Sequence, residues 1–159
     1  MARGLRAVSD SGVPVAFSHG NRDFLLGEGF AEAAGMRLMP EEHVVELYGA
    51  PTLLLHGDTL CTDDVAYQQI RQMLRNPAWQ AEFLTKTPEE RVQAALQARE
   101  MSAEHKDGVS MDIMDVNADA VADAFQRHSV RHMIHGHTHR PAVHDEPGGQ
   151  RIVLGDWYD

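Results

Sequence analysis

Thiols and long apolar runs are both scarce in this sequence. Its 159 residues include one cysteine, Cys61, and a single thiol can form neither an internal disulfide nor the paired thiolates of a zinc ribbon. That composition is typical of a protein of a reducing compartment. No run reaches the roughly 18 apolar residues of a membrane-spanning helix, and the first five residues are too few and too polar for a signal peptide. We therefore expect a cytoplasmic protein.

Positive charge is also scarce. The 14 lysine and arginine residues face 24 aspartate and glutamate residues, which gives a formal net charge of -10. Such a chain repels the phosphate backbone of nucleic acids, so we exclude a nucleic-acid partner. Histidine, by contrast, is frequent, with ten residues. Several of them fall between His128 and His144, which suggests metal ligation or proton transfer, although a solvated histidine is commoner.

Short apolar runs that end in polar loops are typical of buried strands, and three stand out. They cover residues 13–19, 52–56 and 130–135. Partner runs at residues 44–48, 142–145 and 151–154 predict two hairpins, the first turning at residues 49–51 and the second at residues 147–149. The sequence therefore predicts an α/β fold.

Helix signals dominate the middle of the chain. Asp64 can cap one helix, and Thr87 opens a cap, proline and glutamate pattern that starts another. Between residues 63 and 112 no run is typical of a strand. We predict a helical insertion over residues 64–110 within a single domain of residues 1–159. Two further helices are expected, over residues 28–34 and 117–127.

The loops after the three strands carry side chains that bind metals: Asn21, His56, His137 and His139. Because the carboxyl ends of neighbouring strands in a layered α/β sheet form a ligand-binding edge, these loops are expected to converge. An extended segment would point His137 and His139 to the same side, and imidazole suits divalent transition metals. Two surface histidines adjacent by chance are the alternative, but the other two loops favour metal binding.

Other polar residues of these loops have two interpretations each. Arg22 has the planar fork that suits a phosphate oxygen, although an ion pair with Asp23 is an equally ordinary outcome. Asp58 either orients a metal ligand or caps its turn. His19 and His135 fall within the predicted strands and are expected to be structural.

Four segments resemble a known family. They are residues 19–27 (HGNRDFLLG), 56–64 (HGDTLCTDD), 113–117 (IMDVN) and 134–143 (IHGHTHRPAV). They are similar to motifs of the calcineurin-like metallophosphoesterases, in particular the branch that hydrolyses UDP-2,3-diacylglucosamine in lipid A biosynthesis. The likeness runs along nearly the whole chain and is weakest in the helical insertion.

The resemblance implies a four-layer α/β/β/α sandwich with a helical lid over residues 64–110 and two Mn²⁺ ions. It implies attack of water on a nucleotide-diphospholipid substrate, which yields 2,3-diacylglucosamine 1-phosphate and UMP, and peripheral contact with the cytoplasmic face of the bacterial inner membrane. Asn21, His56 and His137 match ligands of one metal and His139 a ligand of the other. The positions implied to contact substrate are Asn21, Arg22, Asp64, Ser102, Lys106 and His137, with Lys106 in the place of a basic group found elsewhere in the family.

The sequence also departs from the family pattern. Family members carry an Asp-x-His loop and a Gly-Asp loop ahead of these motifs, and neither occurs before Asn21. We therefore expect an incomplete sandwich without its N-terminal strands, weakly active or inactive alone. Apolar residues of the insertion either shelter acyl chains or pack on the sandwich: Leu74, Trp79, Phe83, Leu84 and Leu96.

Two alternatives remain at this level. The chain is either another calcineurin-like phosphoesterase, or a noncatalytic protein that binds one transition metal through His56, His137 and His139. A metallo-β-lactamase-like site is disfavoured, since Arg140 and Pro141 follow the histidine pair where that site has Asp-His. The residues specify no oligomeric state.

Overall fold

A computed structural model describes residues 1–108, 113 and 115–156, with the backbone alone for residues 101–108. Helices alternate with strands that form two sheets, one parallel and one mixed. The predicted α/β class is confirmed, whereas the four-layer arrangement and the lid stay predictions.

The first part of the chain forms a small parallel sheet with two helices. In order, the elements are α1 (Ala2–Asp10), β1 (Val15–Phe17), α2 (Glu28–Ala34) and β2 (Met36–Leu38). Ala31, Ala34 and Met36 are the buried centre of the cluster that joins them. As predicted, α2 ends at Gly35, which adopts the left-handed conformation with φ 65°. The expectation of a buried strand over residues 13–19 was wrong in two respects. The strand β1 is shorter, and it is not buried, because it has one neighbouring strand and its central residue, Ala16, is exposed.

The second sheet has five strands in the order β3-β4-β5-β7-β6. Their bounds are β3 Glu42–Leu47, β4 Ala50–Leu55, β5 His132–His135, β6 Ala142–Glu146 and β7 Gly149–Val153. Strands β4, β5 and β7 are parallel, and each edge strand pairs antiparallel with its neighbour. Both hairpins are confirmed. The first turns at Tyr48 and Gly49, both with positive φ, so Ala50 and Pro51 belong to β4 and not to the turn.

Helix α6 (Ala118–His128) covers one face of this sheet. Its residues Val121 and Phe125 pack in one cluster with Leu53 of β4 and Met133 of β5, and all four are at most 2% exposed. Full burial of each such side chain contributes about 1.5 to 3 kcal/mol. Asn117 caps α6 as predicted and accepts the amide hydrogens of the second and third helical residues at 2.9 and 3.1 Å.

Three consecutive helices occupy the middle of the chain: α3 (Val65–Leu74), α4 (Pro77–Leu84) and α5 (Pro88–Gly108). Asp64 caps α3 and accepts from the Tyr67 amide at 2.9 Å. Thr87 and Glu90 form the predicted reciprocal cap of α5, with contacts of 2.8 and 3.3 Å. Helix α4 was not predicted, although Asn76 and Pro77 are the same start signal. Within the described residues, no helix has the length and hydrophobicity needed to cross a bilayer.

A charged cluster joins the edge strand β3 to the end of α6. The Glu42 carboxylate accepts from Arg127 Nη1 at 2.8 Å and from His128 Nε2 at 2.7 Å. Burial alone would raise the pKa of Glu42, but these two partners outweigh it and hold the pKa below its ordinary value. A carboxyl group whose pKa is depressed by folding stabilises the fold above its unfolded pKa, and that contribution is lost as the pH falls through the folded pKa.

The substitution Glu42→Gln should therefore lower the free energy of unfolding at pH 7 by about 1 kcal/mol. The effect is small because Arg127, one of the two partners, is half-exposed and water screens its charge. The difference from the parent chain should shrink as the pH falls below 4.5, the ordinary value for this side chain. Urea denaturation across this pH range measures both effects. Glu46→Gln, at an exposed position of the same strand, is the matched control and should change little.

Candidate active site

Parallel strands β4 and β5 bring two histidines together. Leu55 of β4 lies opposite His135 of β5, and beyond the strands the Gly136 amide donates to the His56 carbonyl at 3.0 Å. The pairing thus continues into both loops. His56 Nε2 lies 3.1 Å from His137 Nδ1, with the two ring centroids 4.9 Å apart.

The two-histidine loop (residues 136–139) is a tight turn, so the expectation of an extended segment was wrong. His137 and His139 have positive φ values of 64° and 55°, and the Thr138 amide donates to the Gly136 carbonyl at 2.8 Å. Alternation of side chains does not apply to such a backbone. His137 turns toward His56, whereas Nδ1 of the half-exposed His139 contacts the carboxylate of Asp156.

The asparagine loop (residues 20–23) packs against the same histidines. Gly20 is buried, and a Cβ atom there would lie 3.1 Å from His56 Cε1, so only glycine fits without displacing the ring. The Gly20 amide donates to Asp23 Oδ1 at 2.6 Å. This bond takes the place of the Arg22–Asp23 ion pair considered above. Arg22 is exposed and pairs with no carboxylate among the described residues. Asn21, which precedes it, is half-buried.

The carboxylate of Asp58, at the end of the His56 turn (residues 56–58), holds helix α3. Asp58 is 2% exposed and accepts from Tyr67 Oη and Arg71 Nε, each at 2.9 Å. Burial alone would raise the pKa of Asp58, but the Arg71 guanidinium holds it below its ordinary value. Among the described residues Asp58 bonds to α3 and to no histidine, so whether it orients a metal ligand stays a prediction.

Burial favours the neutral form of the His56 imidazole. Removal from water disfavours the imidazolium and lowers the pKa of His56, against the opposing charges of Asp58 and Asp23. A neutral imidazole is the form that binds a metal ion, because the lone pair must be available.

His135 fills the space beneath these loops. It is 1% exposed, Nδ1 donates to the Gly136 carbonyl at 2.9 Å, and Nε2 accepts from Arg151 at 3.2 Å. Burial lowers its pKa to about 4. A Cβ atom at Gly57 would lie 2.7 Å from His135 Nδ1, so the turn after His56 rests directly on this ring. The prediction that His135 is structural agrees with these contacts.

His19, the other histidine predicted to be structural, lies beyond the end of β1, where its Nε2 bonds to the Leu26 carbonyl at 2.7 Å.

Of the three remaining predicted site residues, the structure describes the side chain of Asp64 alone. The Asp64 side chain is 9% exposed and caps α3. Ser102 and Lys106 belong to α5, but their side chains lie outside the described residues. Sequence reasoning missed two residues of the site, Asp156 and Tyr67. Asp156 contacts His139, and the ring centroid of Tyr67 lies 5.4 Å from that of His137. Asp156 follows β7, a third parallel strand of the same sheet, so the rule that found the other loops would have found it.

The donor chemistry fits a metal ion only in part. The His56 and His137 nitrogens, 3.1 Å apart, lie at hydrogen-bond distance from each other. Two imidazole nitrogens are also a donor pair that would suit one divalent transition-metal ion. Throughout the described ranges, however, no three His, Cys, Asp or Glu side chains are grouped to hold a metal. The described donors therefore do not fit a pair of divalent ions.

No protein-family model matches the sequence. Curated proteins match it closely, including the UDP-2,3-diacylglucosamine hydrolase of Yersinia pseudotuberculosis serotype O:1b (strain IP 31758), with 52% identity over 99% of this chain and 68% of that protein. The hydrolases of the same name from Yersinia pestis bv. Antiqua (strain Angola) and Escherichia fergusonii are 52% and 51% identical, with the same coverage. With about half of all positions identical along nearly its whole length, the chain belongs to the UDP-2,3-diacylglucosamine hydrolase family.

Proposed function

We propose that this protein acts in the hydrolysis of the pyrophosphate bond of UDP-2,3-diacylglucosamine, which yields 2,3-diacylglucosamine 1-phosphate and UMP in lipid A biosynthesis. Family membership supports the substrate and the reaction type. The observation that carries the proposal is the meeting of His56 and His137, with 3.1 Å between their nitrogens, at the carboxyl edge of the sheet beside the asparagine loop.

The proposed cofactor is Mn²⁺, with two ions in a complete site. Asn21, His56 and His137 are proposed ligands of one ion, and His139 of the other. The proposed substrate contacts are Asn21, Arg22, Asp64, Ser102, Lys106 and His137. Since the described donors are neutral, the anionic ligands that two divalent ions require come from groups other than these.

Arg22 is the proposed phosphate clamp. Its guanidinium is exposed beside Asn21, and Asp23, the nearest carboxylate in sequence, is engaged by the Gly20 amide. A planar guanidinium can donate two parallel hydrogen bonds to one phosphate, which a lysine ammonium cannot. Arg22 therefore contributes orientation of the pyrophosphate as well as charge.

The helices after Asp64 are the proposed lipid-facing part. Apolar side chains there remain about half-exposed, with Ile70 at 51%, Met73 at 50% and Leu84 at 47%. Trp79 and Phe83 stack with their centroids 5.0 Å apart. Clustered exposed apolar side chains mark surfaces that contact lipid or protein. We propose that they shelter acyl chains and contact the cytoplasmic face of the inner membrane peripherally.

A second candidate is a noncatalytic protein that binds one transition metal. The imidazole pair favours it, because two imidazole nitrogens suit one divalent ion better than two. Metal analysis near one ion per chain, without binding of UDP-2,3-diacylglucosamine, would support this alternative over a hydrolase.

The proposed function generates three predictions, and the first of these concerns turnover. The purified 159-residue chain with Mn²⁺ should release UMP from UDP-2,3-diacylglucosamine no faster than buffer. The physical reason is that two divalent cations held by neutral donors alone repel each other without an anion to offset their charge. The Yersinia pseudotuberculosis hydrolase, assayed in parallel, is the positive control. Mn²⁺-dependent UMP release by this chain would show that its own residues complete the site.

The second prediction concerns the metal ligands. His56→Ala should weaken Zn²⁺ binding at least about tenfold, because the ion loses one of two adjacent imidazoles. Isothermal titration calorimetry measures the affinity. His144→Ala, at an exposed position of β6, is the control and should bind as the parent does. Equal affinity of the two variants would rule out His56 as a ligand.

The third prediction concerns substrate recognition. Arg22→Lys should weaken binding of UDP-2,3-diacylglucosamine in detergent micelles about tenfold, since one bidentate contact is lost. Tryptophan fluorescence can report this binding, and the exposed Arg37→Lys on β2 is the control. The parent chain should bind UDP-2,3-diacylglucosamine more tightly than the generic diester bis(p-nitrophenyl) phosphate. If it does not, the chain is better explained as a different phosphoesterase of the superfamily.

A further inference from the structure

One face of α3 is directed at the proposed active site. Tyr67 and Arg71 of α3, and Arg75 directly after it in the same right-handed helical conformation, are spaced four residues apart, so their side chains form one stripe. This α3 stripe carries two guanidinium groups that are 15% and 17% exposed. Arginines so far removed from water are held by specific partners, and each partner here belongs to a different loop or strand end.

The middle of the α3 stripe holds the His56 turn. Arg71 Nε donates to Asp58 Oδ2 at 2.9 Å, and Tyr67 Oη donates to the same oxygen at 2.9 Å. Asp58 begins the short 3₁₀ turn that follows His56. The position of this turn is therefore set from α3 by two hydrogen bonds to one buried carboxylate.

The end of the α3 stripe holds the asparagine loop. Arg75 Nη2 donates to the Gly20 carbonyl at 3.0 Å, and its guanidinium lies 5.7 Å from the centroid of the Phe24 ring. Gly20 directly precedes Asn21 and packs on the His56 ring. A contact with its carbonyl therefore fixes the peptide group that leads into Asn21.

Glu41 connects the two arginines. One carboxylate oxygen pairs with Arg71 Nη2 at 2.7 Å and the other with Arg75 Nε at 3.2 Å. Glu41 immediately precedes β3, so the bridge is anchored to the five-stranded sheet. Hydrogen bonds and ion pairs now run without a break from Asp58, through Arg71, Glu41 and Arg75, to Gly20.

We propose that Arg71 and Arg75 are positioning residues, which set the placement of the asparagine loop relative to the His56 turn and so bring Asn21 and His56 to one site. The inference deepens the proposed function, since those two residues are proposed ligands of one ion. Arg75 acts through the geometry of its fork, with Nε on Glu41 and Nη2 on Gly20. A lysine at this position keeps the charge but has one nitrogen for two diverging partners.

The test uses the full chain without metal or substrate. In ¹H–¹⁵N spectra of Arg75→Lys, the Asn21 amide, which is bonded to the Gly20 carbonyl carbon, and the His56 ring should both shift. Hydrogen exchange of the Gly20 amide, which itself donates to Asp23 Oδ1, should accelerate about five- to tenfold, because the loop opens more easily without the Arg75 hydrogen bond to the Gly20 carbonyl. Arg3→Lys, at an exposed position of α1, is the control and should leave all three signals unchanged.

Glu41→Gln is the second variant, because it weakens the bridge while it retains both arginines. It should shift the same Asn21 and His56 resonances, and those of His144 on β6 should not move in either variant. Parent-like Asn21 and His56 resonances in both variants would overturn the proposal, as would shifts spread evenly over the whole chain. Because the spectra need no turnover, a failed UMP assay leaves this test unaffected.

Discussion

Parallel pairing of β4 with β5 is the interaction on which the site depends. The register that sets Leu55 opposite His135 also sets His56 beside Gly136, so both loops leave the sheet at the same level. Burial of Leu53 and Met133 on the α6 face fixes this register, since a slip of one residue would turn each of them to the opposite face of the sheet. The hydrophobic core beneath the sheet thus determines that the imidazoles of His56 and His137 meet at its edge.

Around these imidazoles the acidic residues serve the framework. Asp58 is committed to α3, Asp23 to the Gly20 amide, and Asp156 to His139. A carboxylate held by a guanidinium or an amide donor has less charge to offer a cation. The interior that results contains imidazole nitrogens inside a frame of carboxylates that already have partners. Such a frame gives precise loop placement, but on its own it does not balance the charge of two divalent ions.

Local signals predicted most of the fold. The caps at Asp64, Thr87 and Asn117 and the stop at Gly35 were found because each depends on a few adjacent residues. Convergence of the loops after β4 and β5 was also predictable, because the direction of parallel strands determines where their ends lie. The turn at the two-histidine loop was not, since positive φ at non-glycine residues has little local signal. The α3 stripe was missed for another reason: its partners are 9 to 55 residues away in sequence.

The left-handed backbone at His137 and His139 has a consequence for how this loop can change. For residues with a Cβ atom this conformation costs roughly 1 kcal/mol or more, whereas glycine adopts it without strain. Replacement of either histidine by glycine would relieve this backbone strain, but it would also remove the ring contacts of His137 with His56 and Tyr67 and the contact of His139 with Asp156. The imidazole side chains therefore occupy two positions at which the backbone alone favours glycine.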